Sequence, residues 1–430
     1  MKPATPKRWK ARLLALSLSI LFALLLAEVG LRIIGFSRPY FYAYDENLGW
    51  TLRPETNGWF RKEGAAYIHI NNAGMRDDRD YVIAKPNGTF RIAVLGDSFA
   101  EALQVPTAQT FWSIMQDRLS SCSALAGRRV EVLNFGVSSY GTAQELIMLR
   151  KRVWQYSPDL IILAFTPAND VRNNSRVLEH DELRPYFVLQ NNELTEDDSF
   201  RQSPGFRQKQ SFLNRTLYRF INYSRVLQLI NGVRDDIVTR RQLAQSSNTP
   251  QPQAQETPSD TPIREPTRAQ FAVSAQTSTS EAGIDAAAYG PPQDSSWSDA
   301  WLVTEAMIAE MNREVIQHGA QFLVVTVTSG AQVNPDLAAR RALLANAHTT
   351  DLFYVEERIQ SIGGREHFPV LTLGQPFAQY ALEKKVALHG FGLGLNLGHW
   401  NAEGHRLAGQ MISDDICKLL ASTSANRSQP

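Results

Sequence analysis

Five short aliphatic runs separated by helical patterns leave few folds open to this chain. The runs cover residues 90–95, 129–133, 159–165, 321–328 and 368–373. Short buried strands that alternate with helices pair in parallel and are covered on both faces of the sheet. We therefore predict an α/β protein, a three-layer α/β/α sandwich with a five-stranded parallel, flavodoxin-like sheet.

The segments between and around these runs predict the remaining elements. Helical patterns cover residues 107–121, 142–156, 300–318, two stretches within 335–362, and 401–421. Residues 37–89 are rich in aromatic residues and glycine, with strand-like stretches at 58–62 and 66–71 followed by a turn at 72–74. We expect this segment to be a small β-rich preface packed on the main domain.

The N-terminus predicts a membrane-directed helix. Residues 1–12 carry five basic and no acidic side chains, and residues 13–27 carry no charge. A helix over about 12–35 is long enough to span a bilayer, and Glu28 and Arg32 lie one turn apart, so they can pair. A cleaved signal peptide is the competing interpretation, but Leu25 lacks the small side chain expected two residues before a cleavage after Ala27.

The charge pattern around this helix predicts the location of the protein. Basic residues before a spanning segment stay in the cytoplasm. We expect a single-pass inner-membrane protein with a cytoplasmic basic stub and anchor at residues 1–36, and with all later residues periplasmic or extracellular.

Charge and cysteine content exclude several classes of protein. The chain has 44 Lys and Arg against 43 Asp and Glu, a formal charge of +1, so it lacks the basic excess typical of nucleic-acid binding. Its two cysteines, Cys122 and Cys417, cannot form a four-thiolate zinc site or a disulfide scaffold. Both lie at the ends of helices expected to share one face of the sheet, so we predict one bridge in an oxidising compartment.

A long insertion separates the third and fourth predicted strands. Residues 171–242 contain an apolar helical stretch at 211–233, and the ordered part at 176–233 is expected to form a lid or wall beside the site. Seven of the 21 prolines fall between residues 250 and 292. This composition predicts a disordered linker at 243–300, and the tail at 422–430 is also expected to be disordered.

A Gly-Asp-Ser sequence ends the first predicted strand and makes Ser98 a candidate nucleophile. Reactive groups in open α/β sheets gather at the carboxyl ends of the strands. A serine at a strand-to-helix turn can attack with its hydroxyl while its backbone N–H faces the developing oxyanion. Taken alone, Gly-Asp-Ser is a weak signal, since such serines often only cap turns.

Three further segments reach the same edge of the sheet. Gly136, after the second strand, would let a backbone N–H approach the same oxygen. Asn169, after the third strand, could offer a side-chain N–H₂ as another oxyanion donor. His399, just before the last helix, could take and return the Ser98 proton. We interpret His389 as preceding a glycine-rich loop that borders the site, and His405 as a surface residue of the last helix.

In this order the four segments resemble the SGNH/GDSL hydrolase superfamily, over residues 90–170 and 301–421. The resemblance implies a catalytic Ser98 and His399, with an oxyanion hole from Ser98, Gly136 and Asn169. A looser likeness, through the anchor and the preface, is to membrane-tethered members that act on extracellular polysaccharides.

The chain departs from the family pattern at one position. Where the family has Asp three residues before the histidine, this chain has Asn396. An amide can orient the imidazole but cannot stabilise its cation by charge. Three alternatives follow: a Ser98/His399 dyad, a carboxylate borrowed from elsewhere, such as Asp97 or Glu403, or binding without turnover. Asp97 and Trp400, the sequence neighbours of Ser98 and His399, are expected to support them.

These features predict a membrane-anchored serine esterase that removes acyl or acetyl groups from an envelope glycan or a related ester. The chemistry needs no metal and no cofactor. Two alternatives stay open: a polysaccharide O-acyltransferase that uses the same acyl-enzyme, and a noncatalytic glycan-binding or assembly protein.

Overall fold

The computed structural model describes residues 6–167, 169–191, 193–246, 286–346 and 349–427. The chain divides into two compact units. One contains residues 1–40 and 211–258, and the other contains residues 41–210 and 259–430.

The larger unit is built on a parallel sheet that confirms the predicted fold class. Its strands are β5 (Thr89–Gly96), β6 (Arg129–Asn134), β7 (Leu160–Phe165), β10 (Gln321–Thr326) and β11 (Val370–Thr372). Their order is β11-β10-β7-β5-β6, with every neighbouring pair parallel. This is the flavodoxin-like order, in which the chain reverses direction across the sheet beside β5.

Helices cover both faces of this sheet. The helices of the larger unit are α2 (Ser98–Glu101), α3 (Phe111–Leu119), α4 (Thr142–Met148), α5 (Asp170–Asn173), α6 (Arg176–Glu179), α7 (Pro204–Gln210), α10 (Ser295–Gln317), α11 (Leu337–Asn346), α12 (Tyr354–Glu366), α13 (Gly374–Lys384) and α14 (Ala402–Arg427). Successive strand residues point to opposite faces: Ile92 packs with α3, α13 and α14, whereas Ala93 packs with α4, α10 and α12. Two separate apolar cores result, one on each side of the sheet.

Helices α3 and α14 share a face of the sheet, as predicted, and a disulfide joins them. Cys122, just after α3, is bonded to Cys417 of α14, with their Cα atoms 5.9 Å apart. The bridge closes a loop of 295 residues.

The β-rich preface consists of two antiparallel hairpins that enter the core on one face of the sheet. The strands are β1 (Tyr42–Asp45), β2 (Gly49–Leu52), β3 (Asn57–Phe60) and β4 (Ala66–His69). The hairpin β3–β4 corresponds to the strand-like stretches in the sequence, whereas β1–β2 was not predicted. Trp50 and Ile68 are fully buried in the same core as the sheet residues.

The long insertion differs in part from the sequence expectation. It contains an unpredicted hairpin, β8 (Tyr186–Gln190) and β9 (Glu193–Asp197). Part of the predicted linker is wrong, because residues 243–246 continue a helix and residues 286–300 form a 3-10 turn and the start of α10. Tyr289 and Trp297 are buried there, so burial of aromatic side chains overrides the polar composition. Residues 247–285 lie outside the described residues, as do 428–430 of the predicted tail, while 422–427 continue α14.

The smaller unit contains the N-terminal helix α1 (Pro6–Ile33) with α8 (Phe212–Tyr223) and α9 (Arg225–Ser246). In the described part of the chain, α1 is the one helix long and apolar enough to cross a membrane, over Trp9–Ile33. Glu28 and Arg32 pair at 2.7 Å, as predicted. The predicted lid was drawn through 233, but residues from Ser211 onward belong to this unit. The lid therefore stays a prediction for 176–210.

Candidate active site

Ser98 lies at the carboxyl end of the central strand, as the first residue of α2. Gly96 makes this turn possible, since a Cβ there would lie 2.8 Å from the Ala100 side chain. The buried Asp97 caps the helix by accepting the N–H of Phe99 at 2.9 Å. The Ser98 side chain is only partly buried, so its hydroxyl can meet a substrate.

Buried contacts of the α2 backbone hold this turn from the side of the preface. The Arg76 guanidinium is fully buried and donates to the carbonyl oxygens of Glu101, Ala102 and Val105. One planar guanidinium therefore binds three backbone carbonyls in the segment that follows Ser98. The preface therefore contributes directly to the geometry of the serine turn.

His399 reaches the same edge on a loop held by a buried histidine. The ring of His389 contacts the Gly398 carbonyl through Nδ1 at 2.7 Å and the Thr328 hydroxyl through Nε2 at 2.8 Å. Burial lowers the pKa of His389 to about 3, so this ring stays neutral and structural. Trp400 is also buried and donates from its indole to Thr328 at 2.8 Å. The loop thus cannot turn freely about His399.

The expectation that His405 lies on the surface is wrong. His405 is buried rather than on the surface, and its Nδ1 accepts the backbone N–H of Phe111 at 3.3 Å. Burial lowers its pKa well below the usual value. It lies in the first turns of α14, on the side that packs against α3, so it supports the core.

The structure brings Ser98 and His399 together. The Ser98 Oγ lies 2.7 Å from the His399 Nε2, although 301 residues separate them. The Phe99 ring lies 5.0 Å from the imidazole, centre to centre, and so shields one side of it. A serine and an imidazole at this distance can exchange a proton.

The second imidazole nitrogen contacts Glu63, a residue that the sequence analysis did not consider. The His399 Nδ1 lies 2.5 Å from the Glu63 Oε2, and the His399 backbone N–H donates to the Glu63 Oε1 at 2.8 Å. Both carboxylate oxygens are therefore held by one residue. Burial alone would raise the pKa of Glu63, but the charge interaction with His399 and these hydrogen bonds lower it overall.

Glu63 occupies the place in the site that the sequence assigned to Asn396. Asn396 instead adopts a left-handed backbone conformation, with φ of 67°, and donates its N–H to the His389 carbonyl at 3.0 Å. The alternatives Asp97 and Glu403 are also placed elsewhere: Asp97 caps α2, and Glu403 pairs with Arg406.

The hairpin β3–β4 positions Glu63 at its tip. Gly64 follows with φ of 66°, and a Cβ there would collide with the Gln104 carbonyl and lie 3.0 Å from the Phe391 ring. Gly398 meets Glu63 from the other side, where a Cβ would collide with its Oε1. Two glycines therefore let the hairpin tip and the histidine loop approach closely enough for the Glu63 contact.

No local sequence signal distinguishes Glu63 from other acidic residues. It lies 336 residues before His399 and outside the segments that carry the family resemblance. The useful signals are indirect: Asn396 leaves the imidazole without a local carboxylate, and Gly398 precedes the histidine. Together they indicate that an acid must come from elsewhere, without identifying it.

The three expected oxyanion donors differ in their present partners. The backbone N–H of Ser98 has no hydrogen-bond partner among the described residues. Asn169 donates one side-chain hydrogen to the Asp97 Oδ2 at 3.1 Å, which leaves a second hydrogen on the same amide. Gly136 differs from the expectation, because its N–H already donates to the Asn134 Oδ1 at 2.9 Å.

Gly136 has a clear packing role. A Cβ at this position would lie 2.5 Å from the Ala100 side chain and 2.7 Å from the Glu101 nitrogen. The strand-end loop therefore lies directly against α2, and only glycine allows this distance.

Buried carboxyl groups surround the base of the site. Burial raises the pKa of Asp97, and it raises the pKa values of Glu145 and Asp170 well above their usual range, with mutual charge repulsion adding to the rise. Neither Glu145 oxygen has a hydrogen-bond partner among the described residues. Burial without a hydrogen-bond partner therefore favours the protonated form of Glu145.

Comparisons with known proteins return structures but no sequence match. No family model and no curated protein sequence matches the chain. An acetyl xylan esterase, AlAXEase, is 10% identical with a TM-score of 0.35, over 76% of this chain and 100% of that one. An acetylxylan esterase from Geobacillus stearothermophilus, solved as a catalytic mutant, is 10% identical with a TM-score of 0.33, over 75% and 92%. A two-domain esterase active on acetylated mannans is 10% identical with a TM-score of 0.34, over 77% and 50%.

Proposed function

We propose that this chain is a membrane-anchored serine esterase that hydrolyses acyl esters, with an acetylated envelope glycan as its substrate class. One observation carries the proposal: the hydrogen-bonded series Ser98 Oγ, His399 Nε2, His399 Nδ1 and Glu63 carboxylate. It joins a nucleophile, a base and an acid that orients the base.

The lowered pKa of Glu63 assigns the protons in this series. Because Glu63 is ionised, it accepts from the His399 Nδ1–H, and the Nε2 lone pair is left for the Ser98 proton. As the Ser98 Oγ attacks the ester carbonyl carbon, its proton passes to Nε2. The carbonyl π electrons move to oxygen, and the negative Glu63 stabilises the imidazolium.

The first tetrahedral intermediate then collapses to an acyl-enzyme, and water hydrolyses that ester through a second tetrahedral intermediate, in which the bond from carbon to the Ser98 Oγ breaks. The C–O bond to the alcohol breaks as the imidazolium gives its proton to the leaving oxygen, and an acyl-Ser98 ester remains. Water attacks this ester while Nε2 takes its proton. The proton returns to the Ser98 Oγ, and the carboxylic acid leaves.

The oxyanion is held, in our proposal, by the Ser98 backbone N–H and the second hydrogen of the Asn169 amide. Asp97 fixes both donors, since it caps α2 and accepts the first Asn169 hydrogen. Gly136 joins them only if its N–H exchanges Asn134 for the oxyanion. Donors held in place before the reaction are worth about 2.7–4 kcal/mol each in other acyl-transfer enzymes.

A glycan ester is supported by the sequence resemblance to tethered proteins that act on extracellular polysaccharides. Export and anchoring through α1 are supported by its length, its apolar character and the basic residues before it. The disulfide supports an oxidising compartment. The noncatalytic alternative rested on the missing Asp, and Glu63 supplies a carboxylate in its place.

Hydrolysis of p-nitrophenyl acetate by the full chain in detergent tests this proposal. Ser98→Ala should lower kcat by at least about 10³-fold, because nucleophilic catalysis is lost. Ser120→Ala, at an exposed serine, is the matched control and should keep wild-type kcat. Equal hydrolysis by Ser98→Ala and wild type would reject the esterase.

The acyltransferase alternative is separated by the fate of the acyl group. Burst kinetics with an acetyl ester, with and without an oligosaccharide acceptor, follow acetate and acetylated sugar. An esterase releases acetate in both cases, whereas a transferase releases acetylated oligosaccharide when the acceptor is present.

A further inference from the structure

Helix α8 presents an unusual apolar face to solvent. Five large side chains on this helix are exposed: Phe212 (81%), Leu213 (79%), Leu217 (49%), Phe220 (59%) and Tyr223 (68%). At 100° per residue they occupy about 140° of the helix circumference, so they form one continuous stripe. A soluble helix normally turns such a stripe inward.

The opposite face of α8 is already packed, which fixes the stripe outward. Tyr218 and Ile221 are buried, and the Tyr218 ring stacks on Tyr40 with ring centres 5.1 Å apart. Asn222 accepts the Tyr40 N–H at 2.8 Å and donates to the Tyr40 carbonyl at 2.9 Å. Rotation of the helix to bury the stripe would break all of these contacts.

The end of α8 is tied to the end of the membrane-directed helix. Glu28 accepts the Ser224 hydroxyl and the backbone N–H groups of Arg225 and Val226, at 2.9–3.0 Å. Arg32 donates to the Tyr223 carbonyl at 2.7 Å. Both residues lie in the last two turns of the apolar span, so the C-terminal end of α8 lies beside the C-terminal end of that span.

The charges on α8 match an anionic surface. Arg215 and Arg219 are exposed on the side of the helix that adjoins the stripe, and the helix contains no acidic residue. An outward apolar stripe with cations beside it is typical of helices that lie in the membrane interface. Cations near the surface are attracted to anionic lipid headgroups.

We propose that α8 is an interfacial helix, whose stripe of five apolar side chains inserts at the boundary of headgroups and acyl chains of an anionic bilayer. The proposal rests on the anchoring of α1 in the proposed function, and not on the esterase chemistry. A bilayer is favoured over a second copy of the chain because Tyr223, the last residue of the stripe, is hydrogen-bonded to Arg32 of α1, the helix proposed to span the membrane.

Site-directed spin labels on the full chain in nanodiscs test the depth of α8. Both native cysteines are in the disulfide, so an introduced cysteine is the single free thiol. Labels are placed at Leu213→Cys and Phe220→Cys on the stripe, and at Arg215→Cys as the matched control on the same helix. Nanodiscs contain phosphatidylcholine with phosphatidylglycerol.

Insertion predicts opposite accessibility on the two sides of the helix. At positions 213 and 220, oxygen should increase the relaxation rate of the spin label several-fold more than a water-soluble nickel chelate does. At position 215 the nickel chelate should have the larger effect. Dominance of the nickel chelate at all three positions would overturn the proposal. So would dipolar coupling between Phe220→Cys labels of two chains, which would indicate a second copy on the stripe.

Two further measurements separate this inference from the proposed function. A label at Leu21→Cys reports α1: if it is buried in lipid while 220 is in water, the anchor stands and the interfacial helix is wrong. If the label at Leu21→Cys is itself in water, the anchoring of α1 and the interfacial position of α8 are both wrong. Hydrolysis of p-nitrophenyl acetate by every labelled chain should stay at the wild-type rate, and it reports the esterase independently.

Discussion

In the proposed mechanism Glu63 determines which nitrogen of His399 carries a proton, so it is the residue whose removal should be most informative. Glu63→Gln keeps the shape but removes the charge that stabilises the imidazolium. We expect kcat to fall by about 10³–10⁴-fold, as for amide replacement of the acid in serine proteases. The measurement is kcat for an acetyl ester in detergent, with the circular dichroism spectrum as a check on folding.

Asn396→Gly is the matched control for Glu63→Gln. Glycine keeps the left-handed backbone, with φ of 67°, and removes only the amide side chain. We expect kcat within a few-fold of wild type. A large loss in Asn396→Gly together with full activity in Glu63→Gln would restore Asn396 as the group that orients His399.

Glu145 should make stability depend on pH. Burial raises its folded-state pKa well above the unfolded value, so folding takes up a proton, and stability falls as pH rises above the unfolded pKa. Glu145→Gln removes this dependence. The melting temperature of the variant should exceed that of wild type at pH 8, with the difference shrinking toward pH 5. A difference that grows toward acid would contradict the raised pKa of Glu145.

At the residue level, the sequence could identify Ser98 and His399 because each stands beside the end of a predictable strand or the start of a predictable helix. Glu63 could not be identified, since its role depends on how a hairpin tip packs against a distant loop. The amide of Gly136 is a similar case: its position is predictable, but its hydrogen bond to Asn134 is not.

Among the loops and hairpins, the contact between the histidine loop and the hairpin tip depends on Gly398. Gly398→Ala would place a methyl group where the Glu63 Oε1 lies and would strain a backbone with φ of 70°. Displacement of the carboxylate by about 1 Å should lower kcat by about 10²-fold. Thermal unfolding measured alongside kcat separates this effect from the cost of the strained backbone.

Gly392→Ala offers the control within the same loop. Gly392 has a similar φ of 57°, but nothing lies within 4 Å of its Cβ position. The backbone cost of about 1–2 kcal/mol is therefore shared by both variants. Loss of kcat confined to Gly398→Ala supports the close approach to Glu63, whereas equal loss in both would assign it to backbone strain.

Elements with a strong local period were predictable, and those held by long-range contacts were not. The five sheet strands are confirmed because short apolar runs that alternate with helical patterns are typical of parallel strands covered on both faces. The start of α10 was assigned to a disordered linker because the surrounding sequence is polar and rich in proline. That composition gives no sign that Trp297 is buried. The hairpin β8–β9 contains too few β-branched residues to be recognised.

For the molecule as a whole, the disulfide between α3 and α14 should contribute to stability without affecting chemistry. Cys122→Ser with Cys417→Ser should lower the free energy of unfolding by about 2–4 kcal/mol, since the unfolded chain gains freedom. Denaturant unfolding measures this loss. A reducing agent should produce the same shift in wild type and none in the double variant, and kcat should be retained; unchanged stability in both would mean that the bridge does not form.

The origin of Glu63 and His399 at opposite ends of the larger unit has a consequence for biosynthesis. A nascent chain that has emerged only as far as the serine turn holds the alcohol and the acid but lacks the imidazole, which is synthesised 336 residues after the acid. Under the proposed mechanism, reactivity toward esters therefore begins only after translation is nearly complete and His399 has docked beside Glu63.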